Sequence, residues 1–277
     1  MTLYKILLHD INRGLHRRRY LFLPVAYLIP QIGYYFSIKS LSSRGTWIDV
    51  FAFLLKGNIP ISALYQSGKR IPFPSVWFYI FTCSILVGFD YIQDDLTRNG
   101  QQIIVRCSSR KQWFESKCIW CIFNSIVTFS SLLVSVFAFS AAIGVTFSIS
   151  PTPTIWEHCL GIESIESFPS LFFILCCLVL PFISLMTINF LGMICSLFFK
   201  PIIGFLLCES ILILAVWKES NYILACSGMI LRNLYQNDNY EIVSNRITPA
   251  LFILIVCAIA GEMRIQKFDI LPGDEHP

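Results

Sequence analysis

Residues 75–117 read SVWFYIFTCSILVGFDYIQ followed by DDLTRNGQQIIVRCSSRKQWFESK. The first part is almost free of charge and is long enough for a helix that crosses a bilayer, which needs about 20 mainly apolar residues. The second part, residues 94–117, is the most charged stretch of the chain, and another long apolar segment follows it. A charged, glycine-interrupted loop between two apolar segments is unusual, and it helps to predict both the fold and the function of the chain.

The composition is that of a membrane protein. Of the 277 residues, 55% are hydrophobic and only 14% are charged, and the mean hydropathy is +0.65. Soluble domains carry about 25% charged residues. The formal net charge of +4 is small and scattered, which argues against nucleic acid as a partner. Most of the cysteines lie inside apolar runs, and Cys118 and Cys121 have no second ligand pair, so neither a disulfide framework nor a metal site is predicted.

The first 19 residues predict an amphipathic helix on the membrane surface rather than a cleavable signal peptide. On a helical wheel the apolar side chains gather on one side: Leu3, Tyr4, Leu7, Leu8, Ile11 and Leu15. The opposite side holds Lys5, His9, Asn12, Arg13 and His16. Such a helix lies in the interface with its cationic side toward the lipid headgroups. The alternative, a soluble helix that covers its own core, is disfavoured because three arginines at 17–19 lead directly into an apolar segment.

Six apolar segments predict an all-α membrane protein with a single domain of residues 1–277. The predicted spans cover about residues 20–37, 75–93, 117–148, 169–197, 201–217 and 249–262. The apolar stretch at 47–57, WIDVFAFLLKG, is too short to span, and we expect it to lie at the interface or to re-enter the membrane. Residues 218–248 are expected to form a partly buried hairpin or short helices on the outer surface.

The distribution of positive charge predicts that both termini face the cytosol. Six spans place the two termini on the same side of a cell membrane. With the N-terminus inside, 13 of the 21 Lys and Arg residues fall in cytosolic segments and eight fall outside. Cytosolic segments of membrane proteins are enriched in Lys and Arg. The 38–74 loop holds five of the outer positive residues and runs against this trend.

The loop at 94–117 is predicted to be folded. The second helix would continue past the bilayer until Asn99-Gly100, a turn dipeptide, ends it. Residues 103–105 would form a short apolar element, and Ser109 with Gln112 fits a capping box that starts the third helix at Arg110. A solvated connector is the alternative, but it needs neither this apolar centre nor acids beside arginines. Those features suit docking onto another protein.

This loop and the segments before it resemble the membrane subunits of type-2 ABC transporters in Gram-positive bacteria. The resemblance lies in WIDVFAFLLKG, FPSVWFYIF and the pattern D-x-x-x-x-G-x-x-I-x-x-R-x-x-S-R-x-x-W-x-x-S-K from Asp95 to Lys117. Beyond about residues 47–117 it rests on the hydropathy pattern alone. It implies six transmembrane helices, an N-terminal amphipathic elbow helix at residues 1–19 and a cytosolic coupling element between spans 2 and 3.

The resemblance also implies that the loop contacts a separate cytosolic ABC ATPase. The residues expected to make this contact are Asp94, Asp95, Leu96, Arg98, Gly100, Arg106 and Arg110. The chain has no G-x-x-x-x-G-K-[ST] motif, so ATP and Mg²⁺ would be bound by the partner, and this chain would need no cofactor and would not be an enzyme. A second membrane subunit, identical or different, would complete the translocation path through the lipid bilayer.

The spans contain few polar groups on which another function could rest. Glu209, Asn124 and Asn189 are expected either to face the translocation path or to make polar contacts between helices. One acid cannot form a two-carboxylate catalytic site, and no H-E-x-x-H or G-x-S-x-G motif occurs, which disfavours an intramembrane enzyme. A non-transporting membrane sensor or scaffold is a further alternative. The expected function is ATP-driven export of a peptide, an antibiotic or a lipid-like amphiphile.

Overall fold

A computed structural model of the protein describes residues 3–15, 19–41, 44–66, 70–95, 109–162, 170–235 and 240–267. These residues form helices and short connections. The described part of the chain contains no β-strand, only an isolated bridge between Thr46 and Thr146. The all-α class expected from the sequence is confirmed.

Among the described residues, seven helices lie in the N-terminal half of the chain. They are α1 (Leu3–Leu15), α2 (Arg19–Ile38), α3 (Trp47–Leu54), α4 (Ile61–Gln66), α5 (Ser75–Gly88), α6 (Tyr91–Asp95) and α7 (Arg110–Ile143). Helix α7 has 34 residues and extends well beyond the length that a bilayer requires.

The C-terminal half is also helical, with several irregular turns. It contains α8 (Pro153–Ile155) with a π-helical turn (Trp156–Leu160), α9 (Ser170–Ile174) with a π-helical turn (Leu175–Val179), α10 (Leu180–Phe198), α11 (Pro201–Trp217), a 3-10 helix (Leu224–Gly228), α12 (Ile230–Leu234) and α13 (Tyr240–Gln266). The first π-helical turn follows α8 directly, and the second joins α9 to α10 without a break.

Four helical segments are long and apolar enough to cross a membrane. They are Arg19–Ile38, Arg110–Ile143, Leu171–Phe198 and Tyr240–Gln266. The apolar helices α5 and α11 have 14 and 17 residues and are shorter than an ordinary span. The fold is therefore compatible with a multi-pass membrane protein that has four candidate spans among the described residues.

Three predicted spans have different boundaries in the structure. The third, expected at 117–148, is α7, which ends at Ile143 because Gly144 takes the left-handed conformation (φ 72°) that caps a helix. The second, expected at 75–93, is divided between α5 and α6 by a turn at residues 89–90. The sixth, expected at 249–262, is the middle of the longer helix α13.

The outer surface of the spanning helices is apolar. On α2 and α13 the exposed large apolar side chains include Leu21, Phe22, Val25, Ile29, Phe252, Ile255 and Ile259. Soluble monomers rarely expose contiguous apolar patches of this kind. Lipid tails would cover these side chains, which agrees with the composition of the chain.

Helix α3 is surrounded by protein. All of its residues, Trp47–Leu54, are buried. Its N-terminus is capped by Asp49, whose Oδ2 accepts a hydrogen bond from the Thr46 backbone N–H at 2.8 Å. Asp49 Oδ1 accepts a second bond from Trp156 Nε1 at 2.6 Å. Burial on all sides means that α3 packs inside the protein rather than lying on a lipid surface.

Two arginines are buried after α11, Arg232 in α12 and Arg246 near the start of α13. Arg232 donates hydrogen bonds to the backbone carbonyls of Ala215 and Val216, the latter at 3.1 Å, in the last turn of α11. Arg246 donates to Asn233 Oδ1 at 2.5 Å. A guanidinium at a helix C-terminus satisfies carbonyls that no helical N–H reaches, and its charge opposes the negative end of the helix dipole. The short helices expected after α11 are held in place by these bonds.

Candidate coupling site

Four charged side chains meet where α1 contacts the start of α7. Lys117 Nζ lies 2.5 Å from Asp10 Oδ1 and 2.7 Å from Asp95 Oδ2. Arg13 Nη1 lies 3.0 Å from Asp95 Oδ1. Two acids face two bases, so the formal charges balance. We call Asp10, Arg13, Asp95 and Lys117 the four-charge cluster.

Neutral side chains add hydrogen bonds to the Asp10 carboxylate of the four-charge cluster. The Tyr91 hydroxyl donates to Asp10 Oδ1 at 3.0 Å, and Ser116 Oγ donates to Asp10 Oδ2 at 2.6 Å. The centroids of the Tyr91 and Trp113 rings each lie 5.1 Å from Lys117 Nζ, within the range of a cation–π contact. Buried charges are tolerated when they are paired and hydrogen-bonded in this way.

Three members of the four-charge cluster are removed from solvent, and the cluster joins three separate helices. The side chains of Asp10 and Lys117 are 0% exposed and that of Asp95 is 1% exposed, whereas that of Arg13 is 23% exposed. Asp10 and Arg13 belong to α1, Asp95 ends α6, and Lys117 lies in the third turn of α7. The cluster therefore fixes the N-terminal helix to both helices that flank residues 96–108.

Helix α1 packs against the protein along a line of residues that lies between its predicted apolar and polar sides. Its buried positions are Ile6, Asp10 and Gly14. On the apolar side, Tyr4 and Leu8 stay 71% and 46% exposed. That side is free to lie on lipid, as expected for an amphipathic surface helix. The sequence predicts that Arg13 faces lipid headgroups, but in the structure it pairs with Asp95 of α6.

The structure describes three of the seven residues predicted to contact an ATPase. Asp94 is half-buried at the end of α6, whereas the Asp95 carboxylate is buried between α1 and α7. Arg110 Nη1 donates to the backbone carbonyl of Gln266, at the end of α13, at 2.9 Å. The others lie outside the described residues: Leu96, Arg98, Gly100 and Arg106.

The predicted start of α7 is confirmed. Ser109 is the N-cap residue, and its Oγ accepts a hydrogen bond from the Gln112 backbone N–H at 3.3 Å. In the first turn, Lys111 Nζ lies 3.1 Å from Glu262 Oε1 on α13. Residues 96–108 are therefore flanked by two anchored helix ends, one held by the four-charge cluster and the other by α13.

The three polar residues singled out within the apolar segments each contact another helix. The bonds are Tyr20 Oη to Asn124 Oδ1 (2.5 Å), Asn189 Nδ2 to Ser125 Oγ (3.2 Å) and Thr82 Oγ1 to Glu209 Oε2 (3.0 Å). Asn124 and Asn189 line one small cavity of about 20 Å³, and Glu209 is not part of its lining. The structure thus brings the two asparagines together and leaves the glutamate at a separate helix contact.

Reasoning from the sequence did not select Asp10 or Lys117 as a site. Two signals pointed to them. Asp10 is the only acid in residues 1–19, in the middle of a helix with apolar and basic faces. Lys117 is the first residue of a predicted apolar span, where a charged side chain requires a polar or oppositely charged partner. Neither signal identifies that partner.

Comparisons with known proteins add no relationship. No family model matches the chain, and no curated protein or solved structure shows significant similarity to it. Among the described residues, no group of three or more His, Cys, Asp or Glu side chains could hold a metal ion. The function has to be inferred from the residues and their contacts.

Proposed function

We propose that this chain is the membrane subunit of an ATP-driven exporter of the type-2 ABC class and that it docks a separate ATPase through residues 94–110. The observation that carries the proposal is the four-charge cluster at the base of this segment. A hydrogen-bonded ion-pair network that excludes water has few alternative arrangements. A displacement of residues 96–108 would therefore move Asp95 and, through Lys117, the helices α1 and α7.

The opposite end of the segment supports the same mechanism. Arg110 and Lys111 bind α13 through Gln266 and Glu262. A push from an ATPase that closes on ATP would reach α7 and α13 through these contacts. Tilting long helices in this way is how a partner without membrane spans could drive alternating access. Two such subunits, identical or different, would face each other across the path.

The cargo remains the broad class inferred from the sequence, a peptide, an antibiotic or a lipid-like amphiphile. ATP and Mg²⁺ would be bound by the partner, and this chain would catalyse no reaction. The protein would reside in the cell membrane of a Gram-positive bacterium. The translocation path would lie at the interface of two subunits. Asn124, Asn189 and Glu209 contact other helices of the same chain, which is consistent with a role in helix packing.

The proposed topology has six spans, with α5–α6 and α11 added to the four longer helices, and with both termini in the cytosol. Residues 75–95 together reach the length of a span. Reporter fusions or cysteine-accessibility labels at positions 45, 160 and 235 are expected to report the outside, and those at 100 and 277 the inside. A cytosolic location for the 38–74 loop would contradict this topology.

Coupling can be tested by substitutions in the segment itself. Arg106→Ala is expected to preserve membrane insertion and subunit pairing but to weaken ATPase docking by about 2–5 kcal/mol where this arginine is buried against the partner. Gly100→Ala deletes no side-chain atom, and we expect it to misdirect the segment by straining the turn predicted from Asn99-Gly100. Arg70→Ala is the matched control, because Arg70 is exposed in the 38–74 loop. Copurification with the ATPase and ATP-dependent transport are the measurements.

Each outcome separates the proposal from its alternatives. Both variants binding and transporting like the parent would reduce the segment to a connector. Catalytic turnover by the purified chain alone would favour an enzyme. A stable complex that never transports would favour a sensor or scaffold. Loss of coupling in both variants, with Arg70→Ala unchanged, would support the exporter.

A further inference from the structure

A pocket of about 350 Å³ lies beside the residues that follow α3. Lys56, Gly57 and Asn58 form one wall, and residues 72–77, which lead into α5, form another. Small-molecule sites in proteins have volumes of about 300–1,000 Å³. The pocket lies far along the chain from the four-charge cluster, and none of the cluster residues lines it.

The described lining of this pocket carries a positive charge and no negative charge. Lys56 is the only charged residue among the described lining residues, which include neither Asp nor Glu. Among the described residues, no carboxylate oxygen lies within 4.0 Å of the Lys56 ammonium, the distance that defines an ion pair. That ammonium lies 4.7 Å from the centroid of the Phe53 ring. Partial burial lowers the pKa of Lys56, which reflects the loss of water around its charge. A bound anion would restore the missing electrostatic partner.

The remaining walls are mainly apolar and largely fixed. Trp77 lines the pocket, and its Nε1 donates to the Gly228 carbonyl at 3.0 Å. Asn58 Nδ2 donates to the Pro72 carbonyl at 2.7 Å and so joins the two walls. Gly57 has a φ of 63°, and a Cβ there would lie 2.4 Å from Met229. Walls held in this way need little rearrangement, which favours binding.

The backbone at the base of the pocket is fixed as well. The carbonyls of Leu55 and Lys56 accept hydrogen bonds from the backbone N–H groups of Ile230 and Leu231, both at 3.0 Å. These bonds determine where the Lys56 side chain leaves the main chain. One ammonium, with no second cation among the described lining residues, matches a ligand with a single negative charge.

We propose that this pocket binds a single-chain amphiphilic carboxylate, whose headgroup pairs with Lys56 and whose chain packs against Ile59, Phe73 and Val76. The site requires neither ATP nor the ATPase, so it goes beyond the proposed transport cycle and can be tested on the chain alone. Charge-assisted hydrogen bonds are about twice as strong as neutral ones, which makes the headgroup the main determinant of specificity.

The test uses the full chain in nanodiscs of zwitterionic lipid with 11-bromoundecanoate as the probe. Its bromine quenches tryptophan fluorescence at short range, and Trp77 lines the site. We expect quenching by this carboxylate to saturate. A brominated trimethylammonium probe of the same chain length should quench only in linear proportion to its concentration, as a probe that merely partitions into the lipid does. Lys56→Gln is expected to weaken carboxylate binding tenfold or more, and Lys56→Arg is expected to restore most of it.

Lys39→Gln is the matched control, because Lys39 is exposed and does not line this pocket. A second readout follows Cys159, which does line it. The carboxylate probe should slow maleimide labelling of Cys159 in the parent protein, measured by mass spectrometry of its peptide, and the cationic probe should not. This readout needs no variant and holds even if Lys56→Gln folds poorly. Equal quenching and equal protection by both probes, or unchanged binding in a folded Lys56→Gln protein, would overturn the proposal.

Discussion

Replacing Lys117 by methionine is expected to destabilise the protein by about 3–5 kcal/mol, the usual cost of removing one partner from a buried ion pair. Asp10 and Asp95 would remain buried, with Arg13 still paired to Asp95 and with His9 Nδ1 at 3.8 Å from Asp10 Oδ1. Methionine is unbranched and adaptable, so the change removes charge with little loss of packing. The loss should appear as a lower unfolding free energy of the purified protein in nanodiscs and as faster amide exchange in α1.

Lys111→Met is the matched control, in the same helix and with the same chemical change. Lys111 pairs with Glu262, but their side chains are 55% and 33% exposed. Exposed pairs contribute only about 0–1 kcal/mol, so this variant should stay close to the parent. The double variant Asp10→Asn/Lys117→Met removes the uncompensated charge and should be less destabilised than Lys117→Met alone. Equal stability of the two single variants would mean that the four-charge cluster contributes no more than a surface pair.

The second large effect is expected for Arg232→Met. Its guanidinium is 0% exposed and satisfies the carbonyls of Ala215 and Val216. Each buried carbonyl left without a partner costs about 1–3 kcal/mol, so the variant should lose about 2–5 kcal/mol. The 3-10 helix and α12 should lose protection from amide exchange before the long helices do, because the arginine fixes the segment between α11 and α13 to the end of α11.

Arg44→Met tests the same kind of bond at an exposed site. Arg44 Nη1 donates to the Ile143 carbonyl at 2.9 Å, again at the C-terminus of a helix. Water can replace this guanidinium because the residue is exposed. We therefore expect a loss below about 1 kcal/mol, typical of a hydrogen bond on the surface. If Arg44→Met and Arg232→Met lowered the unfolding free energy equally, burial would not be the reason for the effect.

The features that sequence reasoning predicted well depend on neighbouring residues. The predicted first span at 20–37 corresponds closely to α2, Arg19–Ile38, because hydropathy is a property of the segment itself. The start of α7 was predicted because the Ser109 cap acts within one helical turn. The division between α5 and α6 was missed, because the turn at residues 89–90 contains neither Pro nor Gly and has no local signal strong enough to interrupt an apolar run.

Composition, periodicity and capping act over a few residues, so they were enough to predict a helical protein with apolar segments of membrane-spanning length. Which charges are buried, and with which partners, depends on the tertiary structure. Arg13 and Asp95 are 82 positions apart, and Asp10 and Lys117 are 107 apart. A charge is costly in a low-dielectric interior unless an opposite charge is brought to it, and that meeting depends on how α1, α6 and α7 pack rather than on any one of them.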